Sequence, residues 1–139
     1  MKSDLLPQHR TVNNLPVNAD FIKRLAVLTR QLGYEFKDLS LPKLALTHRS
    51  FDSKKNYERL EFLGDALLGM IVGEALYYRY PSQNEGRLTR MRATLVRQET
   101  LVIIAQKLDL SNHLILGIGE RKGGGRNRAS ILADAVESL

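Results

Sequence analysis

From Asn56 to Tyr80 the chain runs without a proline, and Leu60, Leu63, Leu67, Ile71, Leu76 and Tyr80 recur at helical spacing before Pro81 ends the segment. Each residue of an α-helix advances about 100° around the axis, so relative to Glu58 the side chain of Glu61 falls at about −60° and that of Asp65 at about −20°. Leu60, Leu63 and Leu67 fall at about 200°, 140° and 180° on the same wheel. One long helix therefore carries a carboxylate face opposite a leucine stripe, and the stripe is expected to be buried in the core. Like charges at these spacings repel by roughly 0.2–0.5 kcal/mol per pair, a cost that a bound cation removes.

The remaining elements follow from caps and breakers. A helix is expected over about 18–32, capped by Asn18 or Asp20, stopped by Gly33 and buried through Phe21, Leu25, Leu28 and Leu32. A short helix is expected from Ser40, with Pro42 in its first turn, to about 48–50. Another is expected over about 85–108, with Leu88, Met91, Leu95, Leu101, Ile104 and Leu108 turned inward. Residues 115–130 read as a glycine-rich basic loop, after which Ile131, Leu132, Ala135 and Val136 resume helical spacing. Residues 1–17 read as an irregular arm. No segment alternates in the manner of a strand, and 139 residues suit one core. The expected fold class is all-α, a single domain of five or six helices.

Asp134 and Glu137 repeat the acidic device at i, i+3 spacing. The chain has no cysteine, so five carboxylates brought together make an all-oxygen site of the kind that suits Mg²⁺ or Mn²⁺ rather than structural zinc. Spacing alone does not bring the two faces together, and such pairs also decorate solvated helices. Both residues fall close to Leu139, where unpaired carbonyls and the negative helix pole predict a weakly held last turn. The net charge of +6 points to a polyanionic partner. Lys122, Arg126 and Arg128, around Gly123–Gly125, are candidate phosphate contacts, as is Arg97 beyond Arg90 and Arg92. No run of 18 apolar residues and no apolar signal core occurs, so membrane insertion is not expected and a cytoplasmic location is.

The string Asn56-Tyr57-Glu58-Arg59-Leu60-Glu61-Phe62-Leu63-Gly64-Asp65-Ala66 resembles the signature helix of the ribonuclease III endonuclease domain. The segments 45–50 (ALTHRS), 85–97 (EGRLTRMRATLVR) and 129–139 (ASILADAVESL) resemble the same family in order and spacing, and more closely its bacterial members than a Dicer-like arrangement. Ala66 departs from the serine commonest in the signature, at a position that is not a ligand. The resemblance implies that residues 18–139 are a catalytic domain without its C-terminal end and without a double-stranded-RNA-binding domain. It implies Mg²⁺ bound by Glu61, Asp65, Asp134 and Glu137, with Mn²⁺ as a substitute. Asp65, Glu137 and Glu58 then take the catalytic positions. It further implies a homodimer, with Phe62 at the interface, that cuts both strands of double-stranded RNA to leave 5′ phosphates and short 3′ overhangs, in the processing of ribosomal and other structured RNA. Two alternatives are a ribonuclease III-like dimer that holds RNA without cutting it and, more distantly, an all-α nucleoside triphosphate pyrophosphohydrolase. His48 is expected to be a hydrogen-bonded structural histidine.

Overall fold

The computed structural model describes residues 15–139, so positions 1–14 of the expected arm lie outside the described residues. Helix α1 spans Ala19–Leu32. The Asn18 side chain accepts the Phe21 N–H at 2.8 Å, and Gly33, at φ 64°, closes the helix in a conformation glycine adopts without strain. Helix α2 spans Ser40–Ala45 and stops short of residues 48–50. Its first turn is held by the Asp38 carboxylate, which accepts the Ser40 N–H at 2.9 Å, rather than by a Ser40 cap. The chain leaves the helix because its backbone is used elsewhere: Ile115 N–H donates to Leu46 O at 2.8 Å and His48 N–H donates to Ile115 O at 2.9 Å. The result is an isolated parallel bridge between Thr47 and Ile115 in a helical fold.

Helix α3, Glu58–Arg79, is the longest of the described elements. Helix α4, Glu85–Val96, starts where the Asn84 side chain accepts the Arg87 N–H at 2.9 Å. The single helix expected over 85–108 is two. Arg97 is extended (φ −69°, ψ 158°), and α5 begins after it as Gln98–Lys107. The Thr100 hydroxyl donates to Thr94 O at 2.8 Å and satisfies one carbonyl that the break leaves without a helical partner. Leu101 is buried as expected, but Leu95 and Ile104 are exposed. The glycine-rich stretch is more ordered than a loop, holding α7 (Ile118–Lys122) and a 3-10 turn (Gly125–Asn127) after the short α6 (Leu110–His113). With α8, Ala129–Ser138, the described residues form eight α-helices rather than five or six.

Ile131, Leu132 and Ala135 of α8 sit in one core with Phe21, Leu25, Leu28, Leu46, Ala105, Leu110, Leu114 and Leu116. The Ser138 hydroxyl donates to Ala45 O at 2.6 Å, and α8 packs on both α3 and α5. The last turn is therefore held by side-chain packing and a tertiary hydrogen bond, where terminal fraying was expected. The leucine stripe of α3 departs furthest from expectation. Only Leu76 of this helix is buried, whereas Leu63, Leu67 and Ile71 are 54%, 45% and 56% exposed. Periodicity marks the apolar side of a helix but not what covers it, and here α8 and α4 cover other sides. No described helix is long and apolar enough to cross a membrane.

Candidate metal centre

The site is built by the crossing of α3 and α8. Gly64 lies where the backbone of α8 comes closest, and a Cβ at that position would overlap the Glu137 carbonyl. Only a residue without a side chain permits that approach. Glu61 lies one helical turn before Gly64 and Asp65 immediately after it, so the close crossing sets the α3 carboxylates against Asp134 and Glu137 of α8. Glu61, Asp134 and Glu137 each offer an oxygen within 4.8 Å of the others, and all three are partly buried. Asp65 is close enough for its charge to act on the Glu137 carboxyl. Glu58 stands apart at the rim, with its carboxylate 3.9 Å from the Arg49 guanidinium.

The electrostatics of the cluster are those of crowded negative charge. Burial, followed by the charges of Asp65, Glu61 and Asp134, pushes the Glu137 carboxyl up to about 7. Burial also raises Glu61, with Asp134, Glu58 and Asp65 adding to the effect. Asp134 is raised by burial, and a hydrogen bond from Tyr57 partly offsets the rise. Among the described residues, Glu61, Asp65, Asp134 and Glu137 have no Lys or Arg ion-pair partner. Clustered carboxylates that share no protein cation, with oxygen as the only donor type, match a hard divalent ion in size and chemistry.

A cleft of about 710 Å³ opens beside the cluster and is lined by Glu58, Glu61, Asp134, Arg49, Arg128 and Glu120, among others. Arg128 is therefore next to the acidic site, its guanidinium 2.9 Å from the Glu120 carboxylate. Lys122, at the end of α7, is exposed. Arg97 sits at the α4–α5 break, 3.7 Å from Glu99 and outside the cleft lining. Arg126 differs from its expected outward role. Its Nη1 donates to Ser111 O at 2.8 Å and to Leu114 O at 3.3 Å, so the guanidinium ties the glycine-rich segment to the residues around α6. Arg126→Ala is accordingly expected to cost about 1.5–3 kcal/mol of stability in a thermal or denaturant melt, whereas Lys122→Ala leaves the melt unchanged.

Tyr57, Glu120 and Arg49 also line the cleft, Tyr57 and Arg49 from within the segments 56–66 and 45–50, and no individual role is read for them from the sequence. Tyr57 is buried, and its hydroxyl donates to Asp134 Oδ2 at 3.2 Å. Burial and the nearby Asp134 charge raise the phenol far above its ordinary range, so it remains a donor at neutral pH. His48 is a structural histidine, its Nδ1 accepting the Ser50 N–H at 3.1 Å and lying 2.8 Å from Ser50 Oγ. Phe62 projects from α3 with 81% of its surface exposed.

An all-helical domain that converges carboxylates from two packed helices into one oxygen-only cluster defines a class of helical proteins with a candidate site for a hard cation. Comparison with known proteins narrows that class. The ribonuclease-III-like family model matches residues 38–139. The chain is 85% identical over 127 residues to ribonuclease 3 of Psychrobacter arcticus, covering 91% of this chain and 48% of that protein. It is 65% identical over 112 residues to ribonuclease 3 of Acinetobacter baylyi, covering 81% of this chain and 49% of that protein. Its fold superposes on the nuclease domain of ribonuclease III from Campylobacter jejuni with a TM-score of 0.81 at 43% identity, covering 82% of this chain and 80% of that one. The chain belongs to the ribonuclease-III-like family. It spans about half the length of the curated relatives it matches.

Proposed function

We propose that residues 18–139 form a catalytic domain that hydrolyses the backbone of double-stranded RNA with Mg²⁺, or Mn²⁺ in its place, as a homodimer in the cytoplasm. The observation that carries this reading is the meeting of Glu61, Asp134 and Glu137 within 4.8 Å, in a chain of this family. Glu61, Asp134 and Glu137, with Asp65 beside them on α3, would hold the ion. When bound, such an ion activates water at neutral pH and offsets charge at the scissile phosphate. In the metal-free cluster burial and the neighbouring carboxylates hold the Glu137 carboxyl at about 7, and a bound cation would favour its charged, ligating form. Glu58 works from the rim beside Arg49. Arg128, Lys122 and Arg97 supply positive charge for phosphates, while an A-form duplex is recognised mainly by shape and 2′-hydroxyls. Two sites across a dimer account for cleavage of both strands into 5′-phosphate products with short 3′ overhangs, as the processing of ribosomal and other structured RNA requires.

The dimer reading rests on the uncovered face of α3. Phe62, Leu63, Met70, Ile71 and Tyr77 are all more than half exposed on that helix, an apolar area that water solvates poorly. The Campylobacter jejuni domain is itself described for flexibility in a region involved in its dimer formation. Phe62→Asp is expected to weaken self-association by at least about thirtyfold in sedimentation equilibrium while leaving helical content intact, since the side chain touches little of its own protomer.

Long double-stranded RNA incubated with the chain at low salt tests the reading, with Mg²⁺ in one arm and EDTA in the other, because phosphate contacts weaken steeply as salt rises. Short 5′-phosphorylated products in the Mg²⁺ arm alone are expected. Intact RNA in both arms, with RNA still bound, would instead support a dimer that holds RNA without cutting it.

A further inference from the structure

The role of Tyr57 lies outside the acidic residues themselves. Its ring is 2% exposed, and its place is fixed from two directions. Its backbone N–H donates to Thr47 O at 2.9 Å, and its ring meets that of His48 edge to face, with centroids 5.7 Å apart. His48 is held in turn by Ser50, whose hydroxyl accepts the Gly117 N–H at 3.0 Å. The aromatic body is thus anchored to the segment around the Thr47–Ile115 bridge, and the hydroxyl reaches across to α8, 77 positions away in sequence. A phenylalanine would fill the same space. The hydroxyl is the part that packing does not explain, and its hydrogen-bond acceptor is Asp134 Oδ2. Among the described residues the other Asp134 oxygen accepts no protein hydrogen bond. We propose that Tyr57 is a positioning residue for the divalent cation, fixing the Asp134 carboxylate by one oxygen and leaving the other for the ion.

This inference rests on the metal reading above, and the experiment separates the two. Mn²⁺ titration of the full chain, followed by electron paramagnetic resonance, is compared between wild type and Tyr57→Phe. The variant is expected to raise the Mn²⁺ dissociation constant about tenfold, the usual effect of losing a hydrogen bond behind a metal ligand. The metal-free melting temperature is expected to stay close to wild type, and cleavage at saturating Mg²⁺ is expected to recover. An unchanged dissociation constant overturns the role of Tyr57 and leaves the metal reading standing. No Mn²⁺ binding by the wild type overturns both. Should Tyr57→Phe also lower stability, the titration is run well below its melting temperature, where the variant is folded: a dissociation constant about tenfold higher there supports positioning, and an unchanged one refutes it.

Discussion

Gly64→Ala is expected to lower stability by about 3 kcal/mol, or roughly 10 °C in melting temperature, and to eliminate divalent-ion-dependent cleavage. Alanine is the better helix former by about 1 kcal/mol, so the loss would come from the contact and not from the helix. The added Cβ overlaps the Glu137 carbonyl, which is backbone in the last turn of α8, held in place by packing and by the Ser138–Ala45 hydrogen bond. Relief requires α3 and α8 to separate, and that separates Glu61 and Asp65 from Asp134 and Glu137. Gly119→Ala, in α7, provides the control: a Cβ there meets nothing within 4 Å, and its melt is expected to match or exceed wild type. A Gly64→Ala protein with wild-type stability would show that the close crossing does not hold the site together.

Glu137→Gln is expected to reduce cleavage by about a thousandfold or more, the scale of several kcal/mol of metal-assisted stabilisation. The same change is expected to stabilise the metal-free protein near pH 8. Folding raises the Glu137 carboxyl from an ordinary 4.5 to about 7, so the folded state favours its neutral form. Its contribution to stability is fully present below about 4.5 and is lost as pH rises through about 7. Glutamine keeps the neutral form at every pH. Its advantage over glutamate therefore grows between those two values and levels off above them. Paired melts across that range read the difference directly, and the buried histidines, common to both proteins, cancel. A variant less stable than wild type near pH 8 would contradict the crowding of negative charge described here.

The elements with strong local signals were legible in the sequence: the Asn18 cap and Gly33 stop of α1, the proline-free span of α3, and the apolar spacing of α8. Arg97 shows where that reasoning runs out. No glycine or proline marks the break there, which depends on backbone geometry and the Thr100 hydroxyl. The two acidic faces were also legible, but their meeting was not. It depends on the crossing at Gly64, and a glycine in a helix reads as a weak point until its neighbour is known. The stripe of α3 had the right period and an unexpected environment, because coverage is a tertiary property. Arg126 and Tyr57 make the same point at single residues. A basic residue beside glycines reads as a phosphate contact and Tyr57 as one letter of the signature string, yet one caps carbonyls near α6 and the other donates to Asp134.

The central claim is that carboxylates from α3 and α8 form one divalent-ion site. Calorimetric titration of the metal-free chain with Mn²⁺ tests it most directly, using wild type, Glu61→Gln from α3 and Asp134→Asn from α8. Saturable binding in the wild type, severely weakened by either single change, is the predicted result. Binding that is absent from the wild type, or that survives undiminished in either variant, would contradict it.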